Sequence, residues 1–509
     1  MMFSRSARCR EVVSNLTGSA THASLPKLTL TLLAMRIDRL HVRNFKGFED
    51  RTFDFARPVD APEGNGSFHV IIGQNGRGKT SALDALAVAA GSWFLGVRGE
   101  DTRHIHPDDV RVKVLEFGDT QRIEQQLPVV VEAEGQVQGK PLSWTRELVD
   151  KKTKWVHAKN IKSEAELAVE QMQSGEAVTL PLISYYGTGR LWLEPKDMRA
   201  NELHASPQGG RPPQDIVPGE TEEELAASFA SRLAGYRFSI DPRCSPRDLL
   251  RWLRFEQQLA LQERRESNQF RVVKQAIRES VEGCQGLDFH LRLGLLLDIR
   301  GQPRLPFGSL SDGQRNIIAM VGDLAFKAAQ LNPHLGAEVL RLTPGIVLID
   351  ELDLHLHPRW QRHVVDDLRR LFPQVQFITT THSPFIVQTA REGELIPLDA
   401  QPVPETGNLG VEEISRGLMG VDRPEVSPRY QSMVDAAKDY LTTLDEAANA
   451  PAETLQKYVE RLAEDTAPYA DNPAFQAFLE LKREVKIGER MRELAEEVNP
   501  AIRDGGEEG

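Results

Sequence analysis

From Met35 the chain alternates apolar and polar residues, IDRLHVRNF over 37–45, and RTFDF at 51–55 repeats the pattern. Alternation with period two predicts strands. FHVII at 68–72 is a continuous apolar run and predicts a further strand; it leads straight into GQNGRGKT (73–80) and then SALDALAVAAG (81–91), an alanine-rich helical pattern closed by Gly91. Strand-like runs follow in VRVKVLEF (110–117), LPVVVEA (127–133) and PLSWTREL (141–148), then an Ala/Glu helix over 163–172 and the apolar VTLPLISYYG (178–187). Residues 35–195 read together as a first lobe.

Residues 196–220 are rich in Pro, Gly and Gln (SPQGGRPPQ), the composition of a linker. Helical patterns fill 221–282, so 196–300 reads as a linker and helical insertion. After LRLGLLLDI (291–299) come two more apolar strands, GIVLI (345–349) and QFITT (376–380), which place a second lobe at 301–395. A Pro-containing connector then leads to amphipathic helices over 396–509, ending in the polar tail DGGEEG. No repeat of solenoid spacing is present.

Composition narrows the class. No apolar run approaches the roughly 20 residues that span a bilayer, and the mean hydropathy is −0.39. Three separated cysteines, Cys9, Cys244 and Cys284, offer neither a disulfide framework nor a Cys-x-x-Cys knuckle and suit a reducing cytoplasm. A net charge of −12 excludes a generally basic nucleic-acid coat and leaves room for a local basic patch. Residues 243–278 are that candidate, with nine Arg/Lys against four acids, although charge runs usually mark a solvated helix face. Residues 1–34 are basic with one acid, Glu11, and imitate a transit peptide; LTLTLLA (28–34) is too short and threonine-broken for a signal sequence. They are expected to be a disordered or non-native extension.

The chemistry concentrates in four strings. Gly73-Gln-Asn75-Gly76-Arg-Gly78-Lys79-Thr80 fits G-x-x-x-x-G-K-(S/T), between a strand and a helix. Glycines there let backbone N–H groups wrap phosphate oxygens, and the helix start adds its positive end. Lys79 is expected to neutralise the β/γ-phosphates of ATP and Thr80 to ligate Mg²⁺. In VLIDELDLHLHP (347–358) an apolar run describes a buried strand that ends on Asp350 and Glu351. The first acid suits the Mg²⁺ shell, the second a general base for the attacking water. The alternative, His355 and His357 joining the acids as transition-metal ligands, needs a third such ligand and a reason for the adjacent Pro358. LSDGQR (310–315) opens a helix with Ser311, Gly313 and Gln314 at its N-terminus, and TTTHSP (379–384) ends a strand with His382, placed to sense a γ-phosphate.

In this order the strings resemble the ABC-type ATPases of the SMC and RecF group over residues 35–395. The resemblance implies an α/β, P-loop head of two lobes with a mixed central sheet, a helical insertion and a C-terminal helical region. It also implies two copies facing head to tail as a homodimer or higher even oligomer, with ATP between Gly73–Thr80 of one and Ser311–Gln314 of the other. By the same likeness Asp350 is the Walker B acid, Glu351 the base, Asp353 the D-loop acid and His382 the switch histidine. Asp312 departs from transporters, which commonly have glycine there, and no glutamine is assigned to the Q-loop.

Lys79 and Ser311 lie 232 residues apart, which calls for an inserted helical element; sustained heptads and a Cys-x-x-Cys hook are missing, so no coiled-coil arm is expected. YYGTGRLW (185–192) and DELDLHLHPRWQ (350–361) look like the ATPases of overcoming-lysogenization and Septu-type defence and of retron loci. Residues 388–509 hold no Asp-x-Asp and no histidine, so neither a Toprim nor an HNH nuclease site is expected there. The Septu likeness implies a separate HNH nuclease as partner, docked on the C-terminal helices. The competing expectation is a DNA-binding repair ATPase of the RecF sort with no nuclease partner.

Overall fold

The computed structural model describes residues 35–190 and 227–498 apart from short interruptions. The 1–34 extension, the 196–220 linker and the 504–509 tail lie outside the described residues. The chain forms two compact units, divided between Gly420 and Val421.

The centre of the first unit is a five-stranded sheet in the spatial order Leu395–Pro397, Phe68–Ile72, Val375–Thr380, Gly345–Ile349, Leu182–Tyr186. Every pairing in it is parallel. Its four longer strands are buried at every position, which explains their uninterrupted apolar runs: neither face meets water. The expected mixture of strand directions is divided between sheets. A second, antiparallel sheet runs Phe48–Asp54, Arg36–Phe45, Val129–Val137, Lys140–Leu148, Thr153–Lys154, and its strands alternate buried and exposed positions. Gln138 and Gly139, both at positive φ, make the two-residue turn that joins Val137 to Lys140.

Between the two sheets lies the Lys79–Ala90 helix, buried over almost its whole circumference. Alanine and leucine suit a helix packed on both sides, and Trp144 of the antiparallel sheet donates from Nε1 to the Ala89 carbonyl at 2.9 Å. On the other flank the Asp312–Leu331 helix is buried from Gly313 to its end apart from two positions near its start. It packs against the helices Arg247–Glu263 and Asn268–Ser280, where Trp252, Phe270 and Phe326 form edge-on and tilted ring contacts.

The insertion is not wholly helical. Cys284–His290, Gly294–Ile299 and Leu305–Pro306 form a three-stranded antiparallel sheet, and its first strand, CQGLDFH, carries too few apolar residues to announce itself. Residues 396–420, placed by the sequence in the C-terminal region, belong with the first unit. The second unit holds the helices Pro428–Asn449, Ala452–Thr466 and Pro473–Val498 around a small core that includes Tyr440, Leu444, Leu462, Leu479 and Ile487.

Candidate functional site: a phosphate loop beside two acids

Gly76 and Gly78 have φ of +78° and +97°, values that side chains rarely tolerate, so the loop shape depends on glycine at these positions. A Cβ at Gly78 would stand 2.8 Å from the ring of Phe48, the first residue of the Phe48–Asp54 strand. The helix that follows has no side-chain cap and no acid in its first turn, which leaves its N–H groups and positive end open to an anion. Lys79 is buried, and its Nζ donates to the carbonyls of Gly73 at 2.8 Å and Gln74 at 3.2 Å. Burial pushes its ammonium below the usual lysine range, opposed by the charges of Glu351, Asp350, Asp399 and Asp353.

The acids arrive from the end of the Gly345–Ile349 strand. Asp350 is buried and accepts from Thr80 Oγ1 at 2.9 Å through one oxygen and from Thr380 Oγ1 at 2.6 Å through the other. The Thr80 hydroxyl and the Asp350 carboxylate thus converge across 270 residues of chain. They are the hard oxygen donors that Mg²⁺ takes, an ion that keeps several waters and needs few protein ligands. Glu351 is half-buried, with φ +47°. Its N–H donates to Thr380 Oγ1 at 2.7 Å and its carbonyl accepts from Arg190 Nη2 at 3.0 Å, so both flanking peptide groups are fixed where the backbone alone disfavours the conformation by about 1–2 kcal/mol. Asp353 Oδ1 accepts from Thr381 Oγ1 at 2.5 Å and from the His382 N–H at 3.2 Å. The His382 ring is exposed.

Ser311 caps the Asp312–Leu331 helix: its Oγ accepts from the Gln314 N–H at 3.3 Å, while Gln314 Oε1 accepts from the Ser311 N–H at 3.1 Å. Gly313 sits where a Cβ would be 2.5 Å from the His355 carbonyl. This helix end opens on a groove of about 800 Å³ whose walls include Gln314, His355, His357 and Trp360 and no residue of the 73–80 loop. Gly73–Thr80, Asp350, Glu351, Asp353 and His382 are therefore brought together, whereas Ser311, Gly313 and Gln314 form a separate surface within the same chain. His355 and His357 are exposed, and His357 Nδ1 accepts from the Arg359 N–H at 3.2 Å. No group of three or more His, Cys, Asp or Glu side chains is placed to hold a metal ion among the described residues.

Sequence reasoning missed three residues that shape this site. Thr380 binds both Asp350 and Glu351; it was visible inside TTTHSP but overshadowed by His382. Asp399, just past the edge strand, accepts from the Gln74 N–H at 3.1 Å and pairs with Arg77 Nε at 2.9 Å. Arg190 donates to main-chain carbonyls beneath the acids.

The sequence from 68 to 388 matches the family described as AAA domain, putative AbiEii toxin, Type IV TA system. The chain belongs to this family. It therefore carries a P-loop ATPase domain, with the nucleotide binding that such a domain implies. A stretch of 97 residues is 41% identical to the Retron Vc95 probable ATPase of Vibrio cholerae serotype O1 biovar El Tor, covering 19% of this chain and 18% of that protein. Another of 152 residues is 36% identical to the Septu protein PtuA of Bacillus thuringiensis, covering 28% of this chain and 37% of the relative. The chain thus spans less than two fifths of the length of these relatives. Among solved structures, an SmcHead bound to the C-winged helix domain of ScpA is similar at 14% identity and a TM-score of 0.39, covering 73% of this chain and 96% of that one. The SMC head domain from Thermotoga maritima is similar at 14% identity and a TM-score of 0.33, with 70% and 92% covered. No helix among the described residues is long and apolar enough to cross a membrane.

Proposed function

We propose that the chain hydrolyses ATP with Mg²⁺ and, through that cycle, controls a separate nuclease in a defence system of the retron or Septu kind. The observation that carries the hydrolytic part is the Thr80–Asp350 bond, which sets the loop's hydroxyl against the strand-end acid. In this reading the open N–H groups after Gly78 and the Lys79 ammonium hold the phosphates, Thr80 and Asp350 hold Mg²⁺, and Glu351 takes the proton of the attacking water. Mg²⁺ supplies charge neutralisation at the phosphates. His382 is exposed and tied through its N–H to Asp353, which supports its serving in this reading as the sensor of the γ-phosphate.

The Ser311–Gln314 end lies on a groove that excludes the phosphate loop, which supports its serving a second copy's nucleotide. Two copies then complete two sites head to tail. The partner proposal draws on the Retron and Septu relatives, and the helices of the second unit are its docking surface.

Glu351→Gln tests the chemistry: it should bind ATP, turn it over at least ~10²-fold more slowly and accumulate as a dimer in ATP. Wild-type turnover would remove Glu351 from the role. Native copurification tests the partner. A nuclease held in fixed ratio supports the defence reading, while DNA-stimulated hydrolysis with no bound protein favours a repair ATPase.

A further inference from the structure

Beneath the two acids lies a buried cation that the reaction described above does not use. Arg190 is 4% exposed. Its Nε donates to Asn316 Oδ1 at 2.8 Å, Nη1 to the Gly187 carbonyl at 3.0 Å and the Asp350 carbonyl at 2.8 Å, and Nη2 to the Glu351 carbonyl at 3.0 Å. All four acceptors are neutral oxygens. Burial pushes the guanidinium down to about 10, against the raising charges of Asp350, Glu351 and Asp353, so it stays protonated near neutral pH. Burying a cation on neutral acceptors is costly, and an uncharged side chain would avoid that cost. What arginine offers in return is a rigid planar fork that reaches several acceptors at once.

Asn316 extends the fork. It is buried, and its Nδ2 donates to the Leu354 carbonyl at 2.8 Å. It also stands on the Asp312–Leu331 helix, about 1.4 turns from the Ser311 cap. One guanidinium and one amide therefore join three things: the end of the Leu182–Tyr186 strand, the main chain on both sides of Glu351, and the start of the long helix. Glu351 is the residue held at a left-handed φ, so its carboxylate direction depends on what grips its peptide groups.

We propose that Arg190, locked to Asn316, is a positioning residue that sets the Glu351 carboxylate and makes its placement follow the helix beginning at Ser311. This rests on the reading of Glu351 as the base. Where Ser311 of one copy meets the nucleotide of the other, the pair gives an event at one site a packed, hydrogen-bonded route to the base of its neighbour.

Asn316→Ala removes the amide and keeps the three carbonyl contacts of Arg190, whereas Arg190→Lys keeps the charge and removes the fork. Both should lower kcat roughly 10- to 100-fold, because a base displaced by a fraction of an ångström loses its alignment. ATP affinity, read by titration calorimetry, should stay within about two-fold, since binding does not use this route. The double variant should be no slower than the slower single one, because both act on one link. Glu351→Gln is measured beside them. Wild-type kcat in Asn316→Ala and Arg190→Lys with a slow Glu351→Gln would overturn the proposal and leave the base assigned. Wild-type kcat in all three would overturn the site reading itself. A kcat loss matched by equal losses of affinity or melting temperature would make the pair a general packing feature and also overturn the proposal. Asn316→Ala carries the test should Arg190→Lys fail to fold.

Discussion

Replacing Thr380 by valine would keep a branched side chain and delete one hydroxyl, which here serves two masters. Oγ1 donates to Asp350 at 2.6 Å and accepts from the Glu351 N–H at 2.7 Å, with the residue completely buried. The first is a bond to a carboxylate, worth about 1.5–3 kcal/mol; losing the second leaves a part-buried N–H without its partner, at up to about 1–3 kcal/mol. Partial relaxation and water entry reduce the sum, so a net loss of about 2–4 kcal/mol is expected, roughly 30- to 1000-fold in the folding equilibrium. Thr380→Ser keeps both bonds and should lose no more than about 1.5 kcal/mol for the missing methyl. Denaturant melts of the three proteins measure the stability, and ATP turnover at saturating Mg²⁺ measures the consequence for Asp350 and Glu351. Valine should cost at least ~10-fold in kcat while serine stays near wild type. A valine variant within about 0.5 kcal/mol of wild type and with wild-type kcat would show that the hydroxyl bridges nothing of importance.

Two further perturbations probe the loop and the core. Gly78→Ala should weaken ATP binding at least ~10-fold, because φ +97° and the Phe48 ring both reject a Cβ; a Phe48→Ala background relieves only the second, so binding restored there would refute the backbone argument. His69 is fully buried, and desolvation, then Arg36 and Arg369, push its imidazole down from 6.5 to about 3. Above the higher value both states are neutral; below it the unfolded chain takes up a proton that the folded one refuses, so stability is lost as pH is lowered through this window, by up to about 1.4 kcal/mol per pH unit. His69→Phe should remove that slope in acid denaturation, and an unchanged slope would refute it.

What was legible follows from how far each feature reaches along the chain. FHVII, GIVLI and QFITT showed themselves as strands because burial on both faces leaves no polar position to break the run. The 73–80 loop is local in sequence, so glycine spacing and the following helix sufficed to find it. The Asp350–Glu351 pair was readable because the strand that carries it ends there. Arg190 was not, since three of its four acceptors are main-chain oxygens, from two separate segments, and an acceptor carbonyl leaves no trace in side-chain identity. Asp399 escaped for a related reason: prolines at 397, 402 and 404 suggested a connector, while residues 395–397 pair with the Phe68–Ile72 strand. Three residues are too few to show a period.

That short outer strand bears on how the hydrolytic portion can be prepared alone. Leu395, Ile396 and Pro397 cover Val70, Ile71 and Ile72. Ending the polypeptide at 395 would bare the backbone of an apolar inner strand, an invitation to intermolecular pairing and precipitation. It would also take Asp399 away from Gln74 and loosen the loop that should grip phosphate. Cutting after Gly420 spares both, so a soluble minimal ATPase should be sought there rather than where the last long strand stops.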